Sequence, residues 1–452
     1  MNIYDKSGWL FQGDVSHGHE ITEADIDKLL ELGAIEDEWT KRVQEEADYF
    51  SDYTNIKDTL EMMVQQIRIT NIPGAIVQFP FGYFCTFKSR RHLFRGENQM
   101  FAHTESTLGR RCRKKDGNRR SERDIEILHV ISNMRIAQFR KFIWQFDIIP
   151  QWEGKLSEIN YKALAQHYGL DTFLLDLTND IRTALFFATC KWSDDHFEPL
   201  TKADIQKSPQ SRYGVIYHSP DWKVDSLNGE KSIKQFMILE KEMGRERPSV
   251  IDTGRWDGIA YQIGLQPFHR CLAQHGYVYP MKTIGDIQDT GDFEKIYFQQ
   301  SEYLSRKIYD MMDGGKKIYP EEGIIKAQSA IEQIRNSVLF SEDDLLWAYE
   351  LDEARKDIFS TIEELQEALE SDKTGKLLCE AYGLDKKVEV RIQKDEVTYE
   401  IAPDVKNAIN IQYNNKDFLE PLKIKKYYRT PGAIEWRKKR YQYIFGEESD
   451  ID

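Results

Sequence analysis

Four separated segments of the chain hold residues able to act on a ligand. The first is Phe94-Arg95-Gly96-Glu97, and the second is Leu164-Ala165-Gln166-His167-Tyr168-Gly169. The third is Leu174-Leu175-Asp176-Leu177-Thr178-Asn179, followed by Ala184-Leu185-Phe186-Phe187-Ala188; the fourth is Arg270 with Gln274 and Gly276. A guanidinium makes forked, charge-assisted hydrogen bonds to phosphate or ribose oxygens. A hydroxyl on a short turn, such as Thr178, can orient a ligand. A carboxylate such as Asp176 or Glu97 can face a developing positive charge. His167 and Tyr168 can wall a pocket for a ligand ring. Thr178-Asn179-Asp180 precedes an apolar-faced helix, and a helix N-terminus suits a phosphate.

Each of these residues also has a structural reading. Arg95 can pair with a buried carboxylate such as Asp176, and Gly96 can mark a tight backbone turn. His167 can be a hydrogen-bonded core histidine and Tyr168 a packed ring. One of Thr178, Asn179 and Asp180 is expected to cap the following helix. Arg270, Gln274 and Gly276 can form a turn with its own hydrogen-bond network. Asp176 follows apolar residues, so it is expected to be half-buried and to need a partner that supports its charge.

In this order and combination the four segments resemble the FRG domain family, named for its Phe-Arg-Gly motif. The resemblance runs from about Gln65 to about Gly323 and includes the closing Ile318-Tyr319-Pro320. It implies a domain found mostly in bacterial and phage proteins. A more distant resemblance is to ADP-ribosyltransferases that use an Arg, a Ser/Thr motif and a Glu. That resemblance implies NAD as cofactor and a protein or nucleic-acid acceptor. It places Arg95 on the dinucleotide, with Phe94, Gly96, His167, Tyr168 and Asn179 around it, and has Thr178 orient the ribose. Gln274 stands about where the catalytic Glu is expected, which leaves Asp176 or Glu97 to supply the negative charge. The alternative is a non-enzymatic module that senses nucleic acid or protein, as in phage defence.

The elements expected to position these residues form a mixed α/β fold in three parts: a helical lead over 1–64, the FRG-like domain over 65–323 and a helical and hairpin extension over 324–452. In the lead, Thr22 caps a helix with Ile26, Leu29, Leu30 and Leu32 on one side, and Glu36 to Phe50 forms a second helix. A helix carries Leu60, Met63, Val64 and Ile67. Strands are expected at Ala75–Phe79, at Gly82–Phe87 and from His92 to a stop at Gly96. Gly109 to Arg123 reads as a basic loop, and Ser121 to Phe142 as an amphipathic helix. A strand at Thr172–Leu175 leads to a polar turn, Asp176–Asp180, and then a helix from Ile181. Strands follow at Tyr213–Tyr217 and Ser249–Ile251, a turn enters a strand near Gly276, and a helix spans Leu304–Met311. Beyond Gly323, Ile325 to Glu380 is helical and acidic, and alternation from Val388 to Ile401 suggests a hairpin around Lys394-Asp395.

With 452 residues the chain is long enough for two or three domains. Lys and Arg number 62 against 76 Asp and Glu, a net charge of −14, which disfavours a globally basic nucleic-acid binder. Local basic patches remain, at Arg110, Arg111, Lys114 and Lys115 and at Lys438 and Lys439. The five cysteines form no C-x-x-C pair, so neither a disulfide framework nor a zinc site is expected, which suits a reducing compartment. The N-terminus lacks a basic and apolar leader, and no stretch nears ~18 consecutive apolar residues. A cytoplasmic, non-membrane location is therefore expected. No P-loop, G-x-G-x-x-G, H-E-x-x-H or G-x-S-x-G is present, which disfavours kinases, zinc hydrolases and serine hydrolases.

Overall fold

Strand-forming residues recur along the chain as short runs of aromatic and branched side chains. A computed structural model describes residues 1, 8–34, 75–79, 82–85, 92–150, 159–220, 260–263, 266–281, 285–351, 356–385, 387–413 and 423–426. The readings at Glu36–Phe50, at Leu60–Ile67 and at Ser249–Ile251 lie outside these residues, as do Lys438 and Lys439. The strands are β1 Gly18–Glu20, β2 Ala75–Phe79, β3 Gly82–Cys85, β4 His92–Glu97, β5 Leu174–Thr178, β6 Cys190–Ser193, β7 His196–Pro199 and β8 Tyr213–Pro220. They continue as β9 Tyr261–Gln262, β10 Gly276–Pro280, β11 Glu294–Gln299, β12 Leu339–Ser341, β13 Arg391–Gln393 and β14 Lys423–Lys426. Seven form one mixed sheet in the order β1-β11-β8-β4-β5-β10-β9. Within it β1 runs parallel to β11, and the other pairs are antiparallel. The fold is thus mixed α/β.

Strand alternation divides the side chains of β4 between two layers. Phe94 packs with Ile181, Ala184 and Ala188 of the helix Ile181–Thr189. Leu93 faces the other layer, with Leu175, Leu177 and Tyr217. The helix lies almost against the strand backbone. A Cβ on Gly96 would stand 1.7 Å from the Ala184 carbonyl oxygen, and one on Gly214 in β8 would stand 2.9 Å from the Ala188 carbonyl oxygen. Gly96 is therefore a site of close approach. It is not the tight turn of the sequence reading, and β4 runs one residue past it, with Glu97 opposite Val215.

Glu294 fastens the N-terminal segment to this sheet. Its carboxylate accepts the backbone N–H groups of Leu10, Phe11 and Gly13 at 3.1, 2.8 and 3.0 Å, and the His218 ring at 2.9 Å. Burial alone raises a carboxyl pKa, but these hydrogen bonds outweigh it and hold Glu294 below its ordinary value. Thr22 and Asp25 cap the helix over residues 23–34, whose Ile26 and Leu29 enter the Phe94 cluster.

The long helix Glu122–Ile143, capped by Ser121, is buried on nearly every side. Ile324, Ile331, Ile334 and Ile409 pack with its C-terminal half, and Leu345, Leu365 and Leu378 with its N-terminal half. The hairpin expected around Lys394-Asp395 does not form. Instead β13 pairs in parallel with β12, carrying Val390 into the Phe340 cluster, while Tyr399 and Ile401 pack in the other cluster. The alternation serves two separate cores, which a two-stranded turn could not reach. The expected strand Thr172–Leu175 is shifted: β5 is Leu174–Thr178, so Asp176 lies within a strand rather than in a turn. The basic loop is also more ordered than read, starting as a helical turn, Thr107–Arg111, and closing through an Arg113–Arg119 bridge.

Gly96→Ala tests the close approach. The helix must move, because the atom met is its own backbone oxygen, and a loss of about 3 kcal/mol in unfolding free energy is expected. Urea denaturation reads this, and unchanged stability would contradict the packing described.

Candidate functional site

The site forms where β4 and β5 part. These strands share a single paired position, Phe94 with Thr178, while β4 pairs with β8 along its length. Past that pair the Arg95 guanidinium takes up the β5 backbone, and its Nη1 donates to the Asp176 carbonyl at 3.0 Å. Its Nε donates to Glu97 Oε1 at 3.1 Å, and the side chain stays one-fifth exposed. Glu97 itself is buried, and its second oxygen accepts the Thr104 hydroxyl at 2.8 Å. Arg95 thus pairs with Glu97 and with the backbone of Asp176, not with the Asp176 carboxylate proposed in the structural reading.

The Asp176 carboxylate is 46% exposed. Its Oδ1 accepts the Gln166 amide at 2.5 Å, with His167 Nε2 4.0 Å away. The other end of Gln166 accepts the Thr172 hydroxyl, and the Thr172 N–H donates to Thr107 Oγ at 3.0 Å. Thr107 opens the helical turn that carries Arg110. Arg110 is exposed, and its Nη1 donates to the Glu105 carbonyl at 2.9 Å. Its surrounding protein and then the nearby Arg95 charge lower its pKa. Hydrogen bonds therefore link Arg95 to the Asp176 backbone, the Asp176 carboxylate to Gln166, and Gln166 through Thr172 to Thr107, in the helical turn that carries Arg110. Sequence reasoning passed over Gln166, because a neutral amide carries no chemical signal; its place in the quoted motif was the only clue.

Other expected site residues have structural duties. Thr178 is buried; its hydroxyl donates to the Gln274 carbonyl at 2.8 Å and accepts the Asp180 N–H at 3.0 Å. That uses its donor and aligns the helix cap, so Thr178 positions backbone rather than a ribose. Tyr168 is also a correction. It is 2% exposed, its hydroxyl donates to Glu322 at 2.8 Å, and its ring packs on Phe139 and Phe268, so it is core and not a pocket wall. Arg270 donates to the His167 carbonyl and lies over the rings of Tyr319 and Tyr168, at 3.7 and 4.8 Å from their centres. The His167 side chain is 4% exposed, and burial lowers its pKa, with Asp176 and the Gln274 amide acting in the opposite sense. Gln274 follows the helical turn Arg270–Ala273 and, like Asn179, is partly exposed.

Most of the basic segment is internal scaffolding. Arg111 pairs with Asp171 at 3.3 Å and stacks on Tyr382, Arg113 pairs with Glu105 at 2.7 Å, and buried Arg120 pairs with Glu380 at 3.0 Å. Lys114 and Lys115 are exposed. Among the described residues no group of three or more His, Cys, Asp or Glu could hold a metal, and no described helix is long and apolar enough to cross a membrane.

Residues 90–196 match the family model of the FRG domain. This segment is an FRG domain. It holds Arg95, Thr107, Arg110, Gln166, Thr172 and Asp176, so this whole chain of polar residues lies within the matched segment, whereas Arg270, Gln274, Gly276 and Ile318–Pro320 fall beyond the match. No curated protein and no solved structure matches the chain.

The buried imidazoles set an acid limit on stability. Burial lowers the pKa of His167 and His218, and takes His269 from 6.5 to about 4. Each ring binds its proton less readily in the fold than in the unfolded chain, so stability falls as pH drops below 6.5, for His269 down to about 4. The slope is up to ~1.4 kcal/mol per pH unit for each ring. Exposed His196 shifts the other way, but solvent screens it. Urea midpoints should be lower at pH 5 than at pH 7; equal or higher midpoints would refute this.

Proposed function

We propose that the FRG domain binds NAD at the Arg95–Asp176 opening and promotes cleavage of its nicotinamide–ribose bond, with water or a macromolecular acceptor taking the ADP-ribosyl group. The exposure of the Asp176 carboxylate carries this reading. Among the described residues it has no lysine or arginine ion-pair partner, and the Gln166 amide holds it in place. Such a carboxylate can face the positive charge that develops on the ribose. Glu97 is less suited, being buried and paired with Arg95, and Gln274 is neutral. Asp176 thus takes the part that the ADP-ribosyltransferase resemblance gives to a glutamate. Arg95, pinned through Nε and Nη1, presents its remaining N–H groups to phosphate.

Calorimetry with NAD on the full chain, followed by assay of released nicotinamide, tests the proposal. Arg95→Ala should weaken NAD binding about tenfold or more, the scale of a lost charge-assisted hydrogen bond. Asp176→Asn should keep most of the affinity and cut nicotinamide release by about 10² or more. Absence of NAD binding, and of release with protein, RNA or DNA acceptors, would overturn the reading. Salt-sensitive nucleic-acid binding lost on neutralising Lys114 and Lys115 would then favour a recognition module.

A further inference from the structure

Thr172 lies just ahead of β5 and is 2% exposed. Its hydroxyl accepts the Leu174 N–H at 3.0 Å and gives its own proton to Gln166 Oε1. With its carbonyl end so occupied, Gln166 turns its Nε2 to Asp176 Oδ1, at 2.5 Å. The hydrogen bonds thus run in one direction, from the β5 backbone through a hydroxyl and an amide to a carboxylate. Among the described residues no hydrogen bond reaches Asp176 Oδ2.

The donors and acceptors of each group set that direction. An ionised carboxylate only accepts, so the end of Gln166 that meets it must be the amide nitrogen. The other end of Gln166 is then an acceptor and needs a donor. Thr172 supplies one, and its single proton is available because the Leu174 N–H fills the accepting side of the hydroxyl. A side-chain amide without such a donor can turn over, which would set its oxygen against the carboxylate. The backbone of Thr172 is held separately from its side chain. Its N–H donates to Thr107 Oγ at 3.0 Å, and its carbonyl accepts the Leu108 N–H at 3.0 Å. Loss of the hydroxyl therefore releases the amide while these backbone bonds remain.

We infer that Thr172 is a positioning residue of the site: acting through Gln166, it fixes the Asp176 carboxylate by Oδ1 and leaves Oδ2 to the ligand. What the carboxylate faces rests on the NAD reading above; how it is held does not. Thr172 is buried and uncharged, so its part in the site is orientation alone.

Thr172→Val and Thr172→Ser in the full chain decide it. Valine keeps the shape and loses the donor; serine keeps the donor. In protein carrying isotope-labelled glutamine, the Gln166 amide protons are assigned by their loss in Gln166→Leu. One of them should be shifted downfield by the short bond to Asp176. That signal should persist in Thr172→Ser and move upfield in Thr172→Val. With NAD, Thr172→Val should lower kcat for nicotinamide release about fivefold, the scale of one buried hydrogen bond. KM should stay within about twofold, because Asp176 faces a charge that develops in the transition state. Thr172→Ser should work at close to the parent rate, and Thr172→Val should cost nothing further in a Gln166→Leu background. An unmoved amide signal in Thr172→Val would overturn the assignment, as would equal losses in the two Thr172 variants or an additive loss on Gln166→Leu. If the parent releases no nicotinamide, the NAD reading falls, and the amide signal by itself decides whether Thr172 holds the carboxylate.

Discussion

The spacing between β4 and the helix Ile181–Thr189 governs much of the domain. With Gly96 beneath Ala184, backbone meets backbone, and Gly214 lies close to both the Phe298 ring and the Ala188 carbonyl. A helix seated that closely is fixed along the strand direction, because a shift would drive side chains into carbonyls. The same helix begins at Asp180, whose N–H is held by Thr178, the residue paired with Phe94. The glycine of the family motif therefore sets where β5 ends and where β4 and β5 part. Arg95 sits next to that glycine, on the opposite face.

Charge is distributed with economy at the opening. Buried Glu97 meets Arg95, buried Glu105 meets Arg113, and Asp171 meets Arg111. Each pairing meets the requirement that an ion removed from water be compensated. The Asp176 carboxylate, by contrast, stays 46% exposed and meets no lysine or arginine among the described residues. The doubly used Gln166 amide holds Asp176 without cancelling its charge.

The flanking segments bear on the domain through the long helix Glu122–Ile143 and through Glu294. Residues beyond the sheet pack on both halves of that helix, and Gln138 donates to the Leu339 carbonyl at 2.8 Å. Near the other end of the chain, three backbone N–H groups converge on Glu294, a residue of the sheet. Burial of a helix on nearly all sides demands partners from elsewhere in the chain, and here the segments before and after the FRG match supply contacts to it or to the sheet.

Much of this was legible in residue order. The FRG motif, the class of fold, the long helix with its Ser121 boundary and the apolar helix from Ile181 follow from periodicity and cap chemistry, which are local. The contact of Gly96 was not legible, because a glycine at a turn and one beneath a helix look alike until the helix is placed. Val388 to Ile401 alternates as a hairpin would, yet its halves enter different cores, since alternation records burial and not the partner strand. The contact of Gln166 with Asp176 and the internal use of Thr178 and Tyr168 depended on distances that residue order does not give. Local sequence determined which groups could carry charge; tertiary packing decided which of them were neutralised and which were left facing solvent.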